Sequence, residues 1–466
     1  MDSRTPRQPL VDGKVVHPRA YRLRRFLNWF PLGLAYALLY MGRYNLTVAQ
    51  GDLGSLLTKE AFGDVFAIGT FIYGFAFVLN GPLTDRIGGR KAMLISVLGA
   101  AGANLGIGLY LRGAVLGGGA TAESVKMLLS VLYGINMYFQ SFGAVAIVKV
   151  NSSWFHVRER GGFSGIFGVM ISSGIFFAFE GNRWFLNLLK GSGEAASGPV
   201  PTWIVFFVPA AALSAILLFE FFFLRDHPSE AGHSDIDTGE AILSPDQDHF
   251  STVQLLLRVL THPVILTVAL IEFCTGVLRQ GIMHWYFIYA GEQAKELGAA
   301  AAGTGWQFTR DWWGLIQFVA GIIGANAAGW VSDMFFQSRR APAAGLLYGL
   351  LLVCVGAMCF ALTDSWLLCG LSFLNILAVI GIHGLLSGTA TMDFGGRKGT
   401  ATAVGVIDGF VYLGTGVQSL ALGRITSSKD LGWSYWPLFL LPFAVIGLVL
   451  LVRIWKAVPR GKKAAH

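Results

Sequence analysis

Apolar residues run through this chain in long stretches of about 20 residues, the length that crosses a bilayer as a helix. Polar residues gather in the joints between them. Twelve such spans are predicted, at about 26–50, 62–81, 92–112, 124–148, 161–180, 201–224, 261–290, 311–331, 342–363, 366–389, 399–423 and 434–455. The longest polar interior segment, 225–251, divides six spans from six. The expected organisation is a leader at 1–25, a first six-helix bundle at 26–224, a linker at 225–257, a second bundle at 258–455 and a tail at 456–466. The fold class is therefore all-α integral membrane, with twelve transmembrane helices in two pseudo-symmetric six-helix bundles.

Composition agrees. Of 466 residues, 54% are hydrophobic and 13% are charged, about half the charged share of a soluble domain, and the mean hydropathy is +0.58. Lys and Arg in short loops resist translocation, so their positions set orientation. Basic clusters precede span 1 (Arg19, Arg22, Arg24, Arg25) and follow spans 2 (Arg86, Arg90, Lys91), 4 (Arg158, Arg160), 8 (Arg339, Arg340) and 10 (Arg397, Lys398), with more in the tail. All fall on one side of an alternating topology. Both termini are expected in the cytoplasm and the protein in a bacterial inner membrane, its charge of +8 facing lipid headgroups rather than nucleic acid. The leader lacks the apolar core of a cleavable signal, so span 1 is expected to stay as an anchor. Cys274, Cys354, Cys359 and Cys369 lie within apolar spans and read as small packing residues.

One loop pattern occurs twice: Gly81-Pro-Leu-Thr-Asp85-Arg86-Ile-Gly88-Gly89-Arg90-Lys91, and Gly329-Trp-Val-Ser-Asp333 closed by Arg339-Arg340. A merely basic turn accounts for one copy but hardly for two. Asp85 and Asp333 are expected to cap neighbouring helices and to pair with the arginines of their own loops, a gating latch on one face. The repeat resembles the loops between helices 2 and 3 and between helices 8 and 9 of major facilitator transporters.

Ionisable residues inside apolar spans are costly and usually face a pathway. Arg279 has apolar runs on both sides in span 7 and is expected to bind substrate. Arg43 occupies the equivalent place in span 1, on one helical face with Tyr36 and Tyr40; being nearer its helix end, it can alternatively snorkel. Two guanidiniums from symmetry-related helices make a clamp for a small dianion, because each offers a fork of donors and keeps its charge. Glu272, two turns before Arg279, is either a proton site or a counter-ion. Asp408 in span 11 is a second coupling candidate, His383 is expected to be a hydrogen-bonded packing residue, and Glu180 is expected to pair with Arg183. No Gly-rich phosphate loop ending in Lys-Ser or Lys-Thr and no metal-ligand cluster stands out. An enzyme, a nucleotide-driven pump, a cofactor and a metal are not expected, which leaves a gradient as the energy source.

Nearly the whole chain resembles the organophosphate:phosphate antiporter branch, which includes glycerol-3-phosphate and hexose-phosphate transporters. The residues that carry the resemblance are Tyr36-x3-Tyr40-x2-Arg43-x-Asn45, Tyr73-Gly74-Phe75, Trp154-Phe155-x4-Arg160-Gly161-Gly162, Arg225-Asp226-x-Pro228-x3-Gly232 and Leu278-Arg279-x-Gly281-Ile282-x2-Trp285. The resemblance implies that Arg43 and Arg279 bind phosphate, that Tyr36, Tyr40 and Tyr73 line the cavity, and that a rocker-switch cycle exchanges an organic phosphate for inorganic phosphate. This chain departs from the pattern in four places. Phe77 stands where a lysine is usual, Phe167–Ser172 lacks the branch's histidine, Tyr44 replaces a basic residue and His284 replaces an acid.

The expected function is secondary transport of a small organic anion, most simply a phosphorylated metabolite exchanged for phosphate, by a monomer in the bilayer. Proton-coupled symport through Glu272 or Asp408 and a transporter-like sugar-phosphate sensor are the alternatives.

Overall fold

In a computed structural model the described residues are 17–189, 201–236, 260–336, 339–390 and 396–455, with positions 10, 11, 14, 15, 254 and 257. Most of the predicted linker and the predicted tail lie outside them. Among the described residues the chain forms the twelve expected helical segments. The first half contains α1 (Arg19–Leu53), α2 (Lys59–Ile87), α3 (Gly89–Gly117), α4 (Ala122–Trp154), α5 (Val157–Phe176) and α6 (Ile204–Phe223). The second contains α7 (Pro263–Met283), α8 (Gly305–Phe336), α9 (Arg340–Ala361), α10 (Ser365–His383), α11 (Gly396–Ser427) and α12 (Tyr435–Arg453). α5 and α10 each run on through a π-helical turn, Phe177–Gly181 and Gly384–Ala390, and α7 runs on through Trp285–Leu297. A two-stranded ribbon, Leu10–Val11 with Lys14–Val15, precedes α1.

A helix satisfies its own backbone, so it can stand in lipid without water. Leu79, Val353 and Phe360 are 70%, 68% and 92% exposed, which is tolerable only against acyl chains. Among the described residues ten helices are long and apolar enough to cross a membrane. α1 is not one of them by that measure, because it extends into the basic leader and buries Arg43, Asn45 and Gln50. Polar side chains set several helix starts: the Thr58 hydroxyl accepts from the Ala61 N–H, Thr121 and Ser124 form a capping box, and Asp364 accepts from the N–H groups of Trp366 and Leu367.

Helices from the two halves meet most extensively along α2 against α11 and also along α5 against α8. Within the second half, α7 and α11 touch backbone to backbone. A Cβ on Gly276 would meet the Val411 carbonyl, and one on Gly414 the Phe273 carbonyl. No larger residue fits without separating the helices. The first residues of the linker are pinned to the first half, where Asn28 bonds both the N–H (2.9 Å) and the carbonyl (3.2 Å) of Arg225, and Trp154 Nε1 donates to the same carbonyl at 3.1 Å.

Gly276→Ala is expected to lower the detergent unfolding midpoint, at a cost of about 1–3 kcal/mol for overpacking. Gly370→Ala, where an added Cβ meets nothing within 4 Å, is the control and is expected to match the parent. A midpoint for Gly276→Ala equal to that control would mean that α7 and α11 do not need contact at this point.

Candidate functional site

Arg43 does not snorkel. α1 continues to Leu53, and the side chain lies at the interior of the bundle, 1% exposed. A ladder of amides from three helices holds it. Asn45 Nδ2 donates to Asn104 Oδ1 (2.8 Å), Asn104 Nδ2 to Asn136 Oδ1 (3.1 Å), and Gln140 Nε2 to the same oxygen (3.0 Å). Gln140 Oε1 then accepts from Arg43 Nε at 3.0 Å. The backbone is gripped too, since Tyr133 donates to the Arg43 carbonyl (3.0 Å) and Asn136 to that of Gly42 (3.1 Å). The guanidinium stacks at 4.5 Å from Tyr40 and 4.6 Å from Tyr73, and its Nη1 donates to the Tyr412 hydroxyl of α11 at 2.8 Å. Its Nη2 is buried with no partner.

Arg279 comes from the other half, 9% exposed. It makes no ion pair among the described residues, and its Nε is buried without a partner. Both guanidiniums act electrostatically on Tyr40 and on Tyr412, so the two arginines share one space. Tyr36 packs edge-on against Tyr40, centroids 5.3 Å apart. A buried cation normally keeps a carboxylate beside it. Arg43 keeps only phenols and an amide, and Arg279 has no carboxylate in ion-pair contact among the described residues, which leaves N–H donors for whatever enters.

Tyr412, Gln140, Asn136 and Asn104 were not singled out from the sequence. Their signal was present as uncharged polar residues inside apolar spans, Tyr412 one turn after Asp408, but such residues cost too little in lipid to stand out singly.

Glu272 is fully buried, and its Oε2 lies 3.0 Å from Nδ1 of His383. His383, expected to be a hydrogen-bonded packing residue, has a buried carboxylate as its partner. Asp408 accepts a hydrogen bond from Ser387 and interacts electrostatically with His383, Glu272 and Arg279. The coupling candidates form one cluster beside Arg279, without a direct Glu272–Arg279 ion pair among the described residues.

Two of the four departures from the branch pattern meet. Tyr44 stacks on His284 across the two halves at 5.0 Å and 16°, while its hydroxyl accepts from Gln280 (2.9 Å) and Thr47 reaches His284 Nδ1 (2.5 Å). An uncharged seam therefore occupies the place of a basic and an acidic residue. Phe77 stacks on Tyr73 at 5.7 Å, so apolar surface replaces the missing lysine.

The loop acids differ from expectation. Asp333 pairs with Arg340 as expected, at 2.9 Å. Asp85 instead pairs with Lys149 of α4 at 2.7 Å, because α2 stays helical to Ile87 and points Asp85 sideways. The cap on α3 comes from Asp226, which accepts from the Arg90 N–H at 2.7 Å, while the Arg90 side chain donates to the Phe221 carbonyl. Arg86 and Arg339 are exposed and form no ion pair among the described residues. Both loop pairs stay within their own half.

Ties between the halves lie at the opposite face, away from the start of α1. Lys59 meets Glu292 at 3.0 Å, Arg183 meets Asp311 at 2.5 Å, and Arg424 meets Asp64 at 3.0 Å. Arg183 thus reaches across to α8 and does not pair with Glu180, which accepts from the Leu315 N–H at 3.1 Å. Among the described residues no ion pair joins the halves at the face of the α1 start. Among the described residues, then, the ion pairs that join the halves lie at one face.

A Major Facilitator Superfamily profile matches residues 32–305, more than half of the chain. The chain belongs to that superfamily. It is a membrane transporter, not an enzyme. It is similar to the glycerol-3-phosphate transporter of Bacillus subtilis strain 168, 26% identical over 96% of this chain and 95% of the relative. It is similar also to the membrane sensor protein UhpC of Salmonella typhimurium, 23% identical over 90% and 89%. Among solved structures, a bacterial homolog of the human lysosomal transporter Spinster, inward-facing and unoccupied, superposes with a TM-score of 0.64 at 16% identity, covering 94% of this chain and 96% of that one. At that identity the likeness speaks to the superfamily fold alone.

A double-mutant cycle on unfolding midpoints is expected to give Asp85→Asn and Lys149→Gln a coupling of about 0.5 kcal/mol, as befits an exposed pair. Asp85→Asn with Arg86→Gln is expected to be additive. Coupling to Arg86 instead of Lys149 would restore the loop-internal latch.

Proposed function

We propose that this superfamily member exchanges a small phosphorylated metabolite for inorganic phosphate, binding both between Arg43 and Arg279. The observation that carries the reading is the pair of buried guanidiniums with unpartnered N–H groups and no neighbouring carboxylate in contact. A dianion supplies the acceptors and the charge that the site lacks. The phosphorylated substrates printed in the names of its relatives support the same class. In this reading Tyr36, Tyr40 and Tyr73 shape the cavity, and Tyr412 yields Arg43 when substrate enters. The face of the α1 start is cytoplasmic in a bacterial inner membrane, from the distribution of basic loops, and the tied face is external. The structure is then the inward-facing state of a monomer. At the cytoplasmic face Asp85 with Lys149, Asp333 with Arg340, and Arg90 with the Phe221 carbonyl hold each half rigid as the halves rock, while the exposed Arg86 and Arg339 face the cytoplasm in the gating region. The organisation into two six-helix units, 26–224 and 258–455, joined by a linker at 225–257, is proposed on the same basis.

A second reading has its own observation. Glu272, His383 and Asp408 form a cluster, with Glu272 fully buried, that can take up a proton beside Arg279, which suits proton-coupled uptake.

Arg43→Lys and Arg279→Lys are each expected to slow phosphate exchange in proteoliposomes by about 10-fold or more, because lysine keeps charge but loses the fork. Near-normal exchange by both would remove the clamp. Under a pH gradient, Glu272→Gln and Asp408→Asn are expected to leave uptake unchanged. Gradient-driven uptake that disappears in either variant while counterflow survives would favour symport over antiport.

A further inference from the structure

A cavity of about 440 Å³ lies at the external face between the two halves, within the size range of small-molecule sites. It is separate from the arginine clamp. Its walls carry four cations, Lys59, Arg183, Lys295 and Arg310, against two acids, Asp52 and Glu292. Lys59 is held by Glu292 at 3.0 Å, and Lys295 donates to the Gly51 carbonyl at 2.5 Å. Arg183 uses Nη2 on Asp311, leaving Nη1 buried without a partner. Arg310 has no ion-pair or hydrogen-bond partner among the described residues. Counting Asp311 with the wall acids still leaves four positive charges against three negative ones.

We propose that this cavity is a second anion site, an external antechamber in which the phosphate group of an arriving substrate docks on Arg310 and the spare N–H of Arg183. The identity of the anion rests on the exchange function proposed above. Two of the three ties that close the external face, Lys59–Glu292 and Arg183–Asp311, have their cation in this wall. An anion here competes with Glu292 and Asp311 for those cations. Docking therefore weakens the external closure and shifts the population toward the outward-open state, so arrival at the antechamber and opening of the gate are linked. The clamp lies beyond that gate and has no carboxylate to displace. The antechamber binds weakly because its donors other than Arg310 and Nη1 of Arg183 are already engaged.

The test separates the two sites. Purified protein carrying Arg43→Gln and Arg279→Gln, with the clamp disabled, is titrated with inorganic phosphate and followed by phosphorus-31 NMR line broadening. Residual saturable broadening is expected. Adding Arg310→Gln is expected to weaken it about 5-fold, the effect of losing one exposed charge contact, and Arg310→Lys to restore most of it. No broadening in the clamp-disabled protein, or equal broadening with Arg310→Gln, would overturn the antechamber. In an otherwise parental chain, Arg310→Gln is expected to raise the half-saturating phosphate concentration about 5-fold more in right-side-out than in inside-out vesicles. An equal effect from both sides would also overturn it. Should the parental protein exchange no phosphate at all, the exchange function fails, and the NMR result alone decides whether the second anion site exists.

Discussion

A guanidinium buried in a membrane bundle without a carboxylate costs several kcal/mol unless other groups compensate, and the first half of this transporter is organised around meeting that cost for Arg43. Three helices contribute amides that relay into one another and end on Nε, and three aromatic rings lie over the cation. Their compensation leaves Nη2 without a partner. A carboxylate in the same place would neutralise the charge permanently and compete with any incoming anion. Amides and ring faces stabilise the cation without cancelling it, so the site remains cationic when empty.

The second half treats its arginine differently. Among the described residues Arg279 has no comparable ladder, and its surroundings hold the titratable cluster of Glu272, His383 and Asp408. One arginine is fixed in orientation and the other is left to adjust, an asymmetry that a pseudo-symmetric repeat does not itself imply. A rigid donor on one half and an adaptable one on the other suit a ligand that must be bound by both halves and then released as they separate.

Electrostatics also distinguish the two faces. Ion pairs between halves gather at the face away from the start of α1, whereas the duplicated loops pair only within a half. Closure at one face thus depends on charges that an anion can contest, and the rigidity of each half depends on charges that it cannot reach. The seam between halves near the clamp is uncharged, with Tyr44 stacked on His284. Tyr44 and His284 together form a stacked contact that keeps the halves in contact.

The sequence by itself determined the twelve helical segments, the two halves and the two arginines, because the cost of exposing backbone or charge to lipid acts residue by residue and leaves its mark in a linear pattern. It also gave Tyr36, Tyr40 and Tyr73, whose spacing or motif placed them near Arg43. Only the tertiary structure decided which groups meet. Gln140 and Asn104 are ordinary amides until they line up across helices, His383 is a lone histidine until Glu272 lies beside it, and Asp85 has loop arginines next to it in the chain yet reaches Lys149 because the helix carries it past them. Polar pairing in a bundle is set by helix rotation and approach, which depend on packing between residues far apart in the chain, and no local pattern encodes them.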